Sequence, residues 1–586
     1  MPSRNGSTRQ SVGVGTKGVV IFLFAILGSF AVSGQNPASS PSPTPTPVPP
    51  TVTVSTTAES LLPPGAAPPQ DTVNNSLFWT LRDAILAALE NNVDIAIEQK
   101  NLRIAEFTVR SFEGFYDPVF TANPSFSKAK QPNIGRFSGV SSSINSTNTT
   151  NLNLNVGLDK QFETGGGSFT TTFDNPRNTS NSGIVSPVYS PQLSFSYIQP
   201  LLRNRKIDNN RLQIYIAKRD LTLSDVLFRQ QVMSTIFLVQ QAYWNLADAQ
   251  HNVTVQTDGL ALAQKQVEDD QKQVDIGTLA PLDVVTVKAT LETRRQALYQ
   301  AQNAASQALN TLKNLIASGT GSAVWSKEII PTDFYELPPL TLTLDDALAA
   351  GRSNRPEVDQ FKLQKDINQL NVNYLRNQTK PQVNLVTSYN ITGAGGTPTT
   401  SLSCPAGTAL GSAFLCEPGD LQPIVTTASV NNTFVGGYGT ALGNLLTNKY
   451  STITVGVNIS IPFHNRTAEA NLGRALVTGS QIELQERKQF QTIEVDVRNA
   501  YQSVLLSKKG LDAARLARQY AETQLDGEQK KFSSGLSTTF LVLTRQNDLI
   551  QARGAEVNAL ATYNNAVAAF QQATGTSLSS NNVEIK

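Results

Sequence analysis

Apolar residues recur along this chain with two different periods. Helical spacing covers 81–112, 201–276, 282–317, 344–378, 465–532 and 538–573. Apolar and polar residues alternate in 118–127, 151–162, 168–174, 192–198, 382–392 and 451–461, which is typical of strands with one polar face. Polar loops are predicted at 138–150 and 175–190. The pattern predicts a mainly α chain in which groups of strands interrupt very long helices.

The segment 201–276 contains no proline and one glycine, Gly259. It predicts a helix of roughly 70 residues, about 105 Å long at 1.5 Å per residue. Helices in globular domains average about 11–12 residues, so a domain interior does not explain this length. The shorter helices 81–112 and 282–317 together match the long one. Stacked end to end beside it, they would form part of the wall of a tall helical cylinder.

The chain carries the same succession of landmarks twice. Thr80–Ala84 returns as Thr343–Ala347 at an offset of 263, and Gly277 returns as Gly535 at an offset of 258. Asn91 and Asn354, Val239 and Val497, Ala242 and Ala500, and Tyr243 and Tyr501 follow the same offsets. Ordered repetition of this kind predicts a duplicated unit with internal pseudo-twofold symmetry. The predicted repeats are 77–318 and 343–576, joined by 319–342 and followed by a tail, 577–586.

The amino terminus predicts export. Residues 1–34 combine a basic lead, an apolar run at 19–27 and a small-residue cleavage site, as signal peptides do. The Pro/Ser/Thr-rich segment 35–76 is predicted to be a disordered linker. Beyond the signal, no run of 18 apolar residues predicts a helical membrane span. A periplasmic, a secreted and an outer membrane β-barrel protein remain as alternatives.

Composition and motifs exclude several function classes. The 47 basic and 45 acidic residues nearly balance, which argues against a nucleic-acid partner. Cys404 and Cys416 are 12 residues apart, and in an exported chain they predict a local disulfide. The two histidines, His251 and His464, lie far from the cysteines in sequence, so no metal site is expected. No catalytic or phosphate-binding motif is present, so neither an enzyme nor a cofactor is predicted.

The alternating segments are about ten residues long, the length of a tilted membrane-spanning strand. A soluble sandwich would show the same alternation, but the export signal and the long flanking helices favour a membrane barrel. Four core strands are too few to close, since barrels start at about eight strands, so the chain must form an oligomer. The additional hairpin, 151–162 with 168–174, allows two interpretations. It adds two barrel strands, for six per chain, or it stands above the membrane.

The strand-to-helix joints Gln199-Pro200-Leu201 and Ile461-Pro462-Phe463, together with the turn glycines Gly277 and Gly535, resemble the TolC family of outer membrane efflux proteins. The resemblance covers residues 77–575. It implies a homotrimer in the outer membrane, with a 12-stranded barrel and an α-helical tunnel that extends into the periplasm. An equatorial belt would include residues 325–340. The chain would conduct substrates passively from an inner-membrane pump and a periplasmic adaptor (membrane fusion protein), in efflux or type I secretion.

The alternative is a periplasm-spanning coiled-coil tether or adhesin without channel activity. That class needs unbroken heptads, whereas prolines interrupt this chain at matched places in the two repeats, at Pro118, Pro200, Pro381 and Pro462.

The resemblance also implies roles for the helical tips. Adaptor contacts would lie at Gly277, Thr278, Leu279, Gly535, Leu536 and Ser537. Asp283 holds the place of a gate residue, although an aspartate in the first turn of a helix also stabilises it without any gate. The second tip departs from the family, with Leu541 and Thr544 where acidic residues are expected. Phe532, Leu536, Phe540 and Leu541 would form an apolar constriction there, or pack into the core.

Overall fold

A computed structural model describes residues 52–54, 76–132, 146–277, 279–399 and 430–585 of the chain. The predicted signal peptide, most of the predicted linker, Thr278 and the predicted disulfide between Cys404 and Cys416 lie outside the described residues. Within the described residues, no helix combines the length and the apolar character that a membrane-crossing helix requires.

Four main helices build the first repeat: α1 (Leu81–Asn91), α2 (Val93–Glu113), α3 (Asn209–Asp275) and α4 (Pro281–Ile316). The segment predicted as one helix, 81–112, breaks at Asn92, whose side chain caps α2 by accepting from the Asp94 and Ile95 amides. The long helix has 67 residues but starts at Asn209, eight residues later than predicted. Asp208 caps it by accepting from the Arg211 amide, and the preceding residues form turns.

The second repeat follows the same plan. Its helices are α5 (Leu344–Asn354), α6 (Pro356–Gln378), α7 (Tyr438–Leu446), α8 (Arg466–Ser533), α9 (Thr539–Ala573) and α10 (Ser577–Ser580). The predicted helix 344–378 is broken because Pro356 occupies the first position of α6, where its missing N–H costs nothing. Thr343 caps α5 as Thr80 caps α1, so the repeated sequence landmark is a repeated helix start.

The shorter helices stack in pairs beside each long helix, as their lengths predicted. Ala84 and Ile85 of α1 pack with Val232 and Ile236 in the middle of α3, where Leu312 at the end of α4 joins the same buried cluster. In the second repeat, α8 and α9 share an equivalent cluster that contains Ile493, Val497, Val567 and Phe570. Apolar burial therefore runs as narrow seams between helices, which fits the low apolar content of the chain.

Twelve strands are described: β1 (Val52–Val54), β2 (Ser76–Trp79), β3 (Val119–Pro132), β4 (Ser146–Gln161), β5 (Ser168–Ser180), β6 (Val185–Tyr189), β7 (Gln192–Pro200), β8 (Glu328–Pro331), β9 (Gln382–Thr392), β10 (Gly395–Pro398), β11 (Ser451–Ser460) and β12 (Val583–Ile585). β5 runs six residues beyond its predicted end and β6 follows, so the loop predicted at 175–190 is largely strand. β1 lies in the predicted linker and pairs with β12 in the predicted tail.

The main sheet has the antiparallel order β3-β4-β5-β7-β9-β11. β6 and β10 pair at the end of β5 that lies away from the helices. The hairpin of β4 and β5 is therefore inserted between β3 and β7, within the same sheet as the other strands. The sequence pattern did not predict this position of the hairpin in the strand order.

A small parallel sheet of β2 and β8 lies beside the middle of the long helix, in the region predicted as the equatorial belt. The Tyr243 hydroxyl donates to the Trp79 carbonyl oxygen at 3.0 Å and accepts from the Asp333 amide at 3.2 Å. This fully buried tyrosine thus joins α3 to the end of β2 and to the segment that follows β8.

Candidate functional site

The main sheet has one apolar face that continues across all six strands. The register places Phe120 of β3, Leu158 of β4, Thr171 of β5, Phe195 of β7, Tyr389 of β9 and Ile453 of β11 in one row. Side chains directly opposite one another in a ladder lie on the same face of the sheet. The next row contains Ala122, Val156, Phe173, Leu193 and Ile391, ending on Ser451. The hairpin thus carries its apolar residues in phase with its neighbours.

The opposite face is polar. One row holds Thr121, Gly157, Thr172, Ser194, Asn390 and Thr452. Cross-strand contacts on this face are hydrogen bonds, since Thr170 donates to Asp159 at 2.7 Å and Asn155 donates to Asp174. Apolar residues facing lipid and polar residues facing an aqueous lumen are the pattern of a membrane barrel wall.

The two outer strands of this sheet, β3 and β11, each have a free edge among the described residues. Their apolar side chains are the most exposed of the sheet, with Phe120 68% and Ile453 71% exposed. Free edges expose backbone N–H and C=O groups, which lipid cannot satisfy. A single chain therefore presents an unfinished wall.

The turn of the hairpin contacts the residues that connect β7 to α3. Gln199 Nε2 donates to the Gly165 carbonyl oxygen at 2.8 Å. Gly166, with φ +67°, sits against Arg211, so closely that a Cβ on it would lie 2.7 Å from Arg211 Nη2. Arg211 is itself buried and holds an ion pair with Asp208 at 2.8 Å. The irregular residues before α3 thus support the inserted hairpin.

The first helical tip is a tight turn between α3 and α4. Gly277 has φ +79°, a conformation that favours glycine, and its amide donates to the Val274 carbonyl oxygen at 2.9 Å. Leu279 is partly buried, and Asp283 is exposed in the first turn of α4. The neighbouring apolar residues Ile276 and Leu282 are almost three-quarters exposed.

The second tip, between α8 and α9, repeats this geometry. Gly535 has φ +72°, and the Leu536 amide donates to the Lys531 carbonyl oxygen at 2.9 Å. The Ser537 hydroxyl donates to Glu528. The candidate constriction divides here: Phe532 packs into a buried cluster with Leu525 and Val542, while the other three candidates are exposed, namely Leu536, Phe540 and Leu541.

A buried polar ladder behind the tips was not predicted from the sequence. Gln546 of α9 donates to Gln266 of α3 at 3.4 Å, and Gln266 donates to Asp270 at 2.7 Å. Asp270 is fully buried, and this burial raises the pKa of its carboxyl group. The available signal was spacing: the buried positions Val255, Gly259 and Ala263 continue at helical intervals into Gln266 and Asp270.

The belt is tied to α8 by charge. Glu336 lies 2.7 Å from Lys508 and 2.6 Å from Arg515, and the hydrogen bond from Lys508 lowers the pKa of Glu336. The two histidines do not meet: His251 stacks on Phe334 with ring centroids 4.0 Å apart, and His464 is exposed at the end of β11.

The fold is similar to that of solved outer membrane channels. The Campylobacter jejuni CmeC channel aligns with a TM-score of 0.59 and 14% identity, over 88% of this chain and 94% of that one. Vibrio cholerae VceC aligns with a TM-score of 0.55 and 15% identity, over 84% of this chain and 96% of that one. The open state of Neisseria gonorrhoeae MtrE aligns with a TM-score of 0.54 and 17% identity, over 87% of this chain and 94% of that one. At these identities the likeness concerns the fold, which is TolC-like. No curated protein matches the chain.

A family profile provides the sequence link. The profile described as "outer membrane efflux protein" matches residues 170–318 and 348–576, one segment in each repeat and more than half of the chain. The chain therefore belongs to the outer membrane efflux protein family, a family of channels and not of enzymes, and is an outer membrane channel that extends into the periplasm.

Proposed function

We propose that three copies of this chain form the passive outer membrane duct of a tripartite efflux or type I secretion system. An inner-membrane pump and a periplasmic adaptor would deliver the substrate, and the duct would carry it across the periplasm and the outer membrane. One observation carries the proposal: a sheet with a continuous apolar face and two free edges stands on helices long enough to reach far into the periplasm.

The helices support assembly with further copies. On α2, the apolar residues Val93, Ile97, Ile104 and Phe107 recur at helical spacing, and each is about half exposed or more. On α8, the apolar residues Val477, Leu484, Leu506 and Tyr520 are more than 60% exposed. Exposed apolar stripes of this length mark contact surfaces in soluble segments. Copies of the same chain would cover both stripes while joining β3 to β11.

The joint after β11 supports the same arrangement. Phe463 is completely exposed, three residues beyond the helix end of β11. At the opposite edge, Phe115 just before β3 is also exposed. A neighbouring copy would bring these two aromatic residues to the same height and bury both.

The role of the tips remains part of the proposal. Gly277 and Gly535 make the chain turn in open surroundings, with no atom within 4 Å of an added Cβ. Leu536, Phe540 and Leu541 extend beyond the core there and would meet the adaptor or narrow the entrance. Asp283, exposed in the first tip, would contribute its charge to the gate.

The decisive test is reconstitution of the purified chain in planar bilayers. We expect trimers that resist SDS and single-channel conductance across the bilayer. Val457→Asp places a charge on the apolar face of β11 and should abolish insertion, whereas the matched Asn458→Asp on the polar face should retain conductance. A monomer that conducts nothing would contradict the proposal and favour a structural tether.

A further inference from the structure

On the apolar face of the main sheet, each strand carries a run of apolar residues, and together these runs form an apolar band. The position of this band along the strand changes from one edge of the sheet to the other. The centre of the band on each strand is measured, in residues, from the row that runs from Phe120 to Ile453. On β3 the band runs from Phe120 to Phe126, so its centre lies three residues from the row toward the loop end. On β11 it runs from Ile453 to Ile459, so its centre lies three residues toward the helix end.

The strands between them fall in order. On β4 the band covers 152–158 and is again centred three residues toward the loop end. On β5 (169–173) and β7 (193–197) it is centred on the row itself, and on β9 (383–391) it is centred two residues toward the helix end. From β3 to β11 the band centre therefore moves only toward the helix end: β4 has the same centre as β3, and β5 has the same centre as β7. A hairpin standing above the membrane would have no reason to keep its apolar residues in this order.

The size of this shift is that of a closed barrel. Six residues over five strand steps is about one residue per strand. With strands about 4.8 Å apart and a rise of about 3.4 Å per residue, a level lipid band then requires a tilt of about 35–40°. Membrane barrel strands tilt by about 35–45°, and a register that staggers from strand to strand is what closure demands.

We propose that β11 of each copy pairs antiparallel with β3 of the next, so that three copies close a barrel of eighteen strands in which β4 and β5 are part of the membrane wall. The trimer rests on the proposed function, and the strand number goes beyond it. The directions agree: six alternating strands leave β11 antiparallel to a neighbouring β3. The phases agree as well, since both edges present apolar residues on the same face.

The strand number changes the channel. The resemblance to the TolC family implied twelve strands, four from each chain, whereas this sheet supplies six. Barrel diameter grows roughly linearly with strand number, so the membrane section is about 1.5 times as wide as a twelve-stranded one. Barrels of 16–18 strands enclose an aqueous channel. The hairpin turn held by Gln199 and Arg211 then supports the wider wall where it meets the helices.

Continuing the shift by one further strand predicts the contact between copies. It places Gly456 of β11 near Asn123 and Ser125 of the next β3. On the polar face, Thr454 should then lie opposite Ser125 or Ser127 of the neighbour.

Cysteine pairs test the two parts of the proposal separately, in a chain carrying Cys404→Ser and Cys416→Ser. Thr454→Cys combined with Ser125→Cys or Ser127→Cys should give cross-linked dimers and trimers on oxidation. Thr121→Cys with Ser194→Cys reports on the hairpin, because β4 and β5 hold these positions three strand spacings apart, about 14 Å. A disulfide cannot span that distance, so no bond should form. Asn123→Cys with Asn155→Cys, directly opposite, is the control that should cross-link within one chain.

Spin labels test the membrane location of the hairpin without any cross-link. In bilayers, a nitroxide at Leu154 should be accessible to oxygen dissolved in lipid, and one at Asn155 to a water-soluble nickel complex, as at Val455 and Thr454 of β11. Water accessibility at both hairpin positions, or a bond between positions 121 and 194, would overturn the eighteen-stranded barrel and leave a trimeric channel standing. Absence of every cross-link between copies would instead overturn the trimer.

Discussion

Gln199 donates a 2.8 Å hydrogen bond from its side-chain amide to the carbonyl oxygen of Gly165. This bond joins the turn of an inserted hairpin to the joint where β7 ends and the long helix α3 is about to begin. The joint residues that the sequence pattern assigned to the start of the helix form turns instead, and they are the surface on which the hairpin rests.

Gly166→Ala should loosen that attachment. The new Cβ would lie 2.7 Å from both Arg211 Nη2 and the Asn204 carbonyl oxygen, at a φ of +67°. Strain of this kind costs about 1–3 kcal/mol, so we expect trimers that dissociate at a lower temperature in SDS. Gly443→Ala, in an open helical position of α7, is the control and should leave that temperature unchanged. Equal dissociation temperatures for both variants would show that the turn does not support the sheet.

Phe463→Ala should weaken assembly. The side chain is fully exposed in one chain, and burying a phenylalanine against a neighbour contributes about 1.5–3 kcal/mol per copy. We expect a larger monomer fraction for the variant in detergent, measured by sedimentation. Ile184→Ala removes an apolar residue that is 69% exposed at the opposite end of the sheet and should leave the fraction unchanged. Indistinguishable behaviour of the two variants would place the contact between copies elsewhere.

Gly277→Arg and Gly535→Arg should abolish transport while leaving the trimer intact. Both residues turn the chain at positive φ in open space, so the cost is backbone strain of about 1–2 kcal/mol confined to the tip. In cells where the unmodified chain confers ethidium export, we expect ethidium to accumulate once either variant replaces it, with SDS-resistant trimers still present. Gly319→Arg, equally open and at positive φ but next to the belt, is the control. Ethidium export that survives both tip variants would contradict a docking role.

Asp270→Asn should stabilise the tip at neutral pH. Burial raises the pKa of this carboxyl group above its value in the unfolded chain, so folding favours the neutral form. The neutral Asp270 carboxyl group stabilises the folded tip. This stability is fully present below the pKa that Asp270 has in the unfolded chain, and it is lost as pH rises through the pKa in the folded chain. Amide hydrogen exchange near the ends of α3 and α4 should therefore slow at neutral pH and change little in acid.

The control for Asp270→Asn is Glu268→Gln, which removes an exposed carboxylate from the same helix. It should leave the exchange rates of the tip unchanged. If Asp270→Asn accelerated exchange at neutral pH, the buried carboxylate would be a source of stability, contrary to the direction of its pKa shift.

Lys508→Gln should weaken the attachment of the belt to α8, where Arg515 still contacts Glu336 at 2.6 Å. The hydrogen bond from Lys508 lowers the pKa of Glu336, so this contact stabilises above the unfolded pKa and is lost as pH falls through the folded one. Because the pair is partly exposed, we expect an effect of up to about 1 kcal/mol, seen as faster proteolysis at 332–340 at neutral pH. The exposed neighbour Lys509→Gln should not change the cleavage rate.

Much of the architecture could be predicted from the sequence because periodicity is a local property. The long helices, the duplicated starts at Thr80 and Thr343 and the turns at Gly277 and Gly535 follow from spacing, capping and backbone freedom. Helix boundaries were less certain. The break at Asn92 depends on a side chain that also donates to the Leu315 carbonyl oxygen, 223 residues away.

The candidate site, like the fold, was only partly predictable from the sequence. The two glycine turns were predictable, but the positions of the apolar residues around the second were not. Phe532 packs against a buried cluster and Phe540 is exposed, and this difference depends on contacts between helices. Asp270 was missed because its burial results from packing between α3 and helices of both repeats.

The sequence by itself determined the long helices, the core strands, the two glycine turns and the apolar face of each of these strands, since each depends on residues close together in the chain. Only the tertiary structure decided that the hairpin of β4 and β5 lies between β3 and β7. Alternating polarity shows that a strand has one apolar and one polar face, but it does not show which strand lies beside it. Strand order is set by backbone hydrogen bonds between residues distant in sequence, and these bonds carry no local sequence signal.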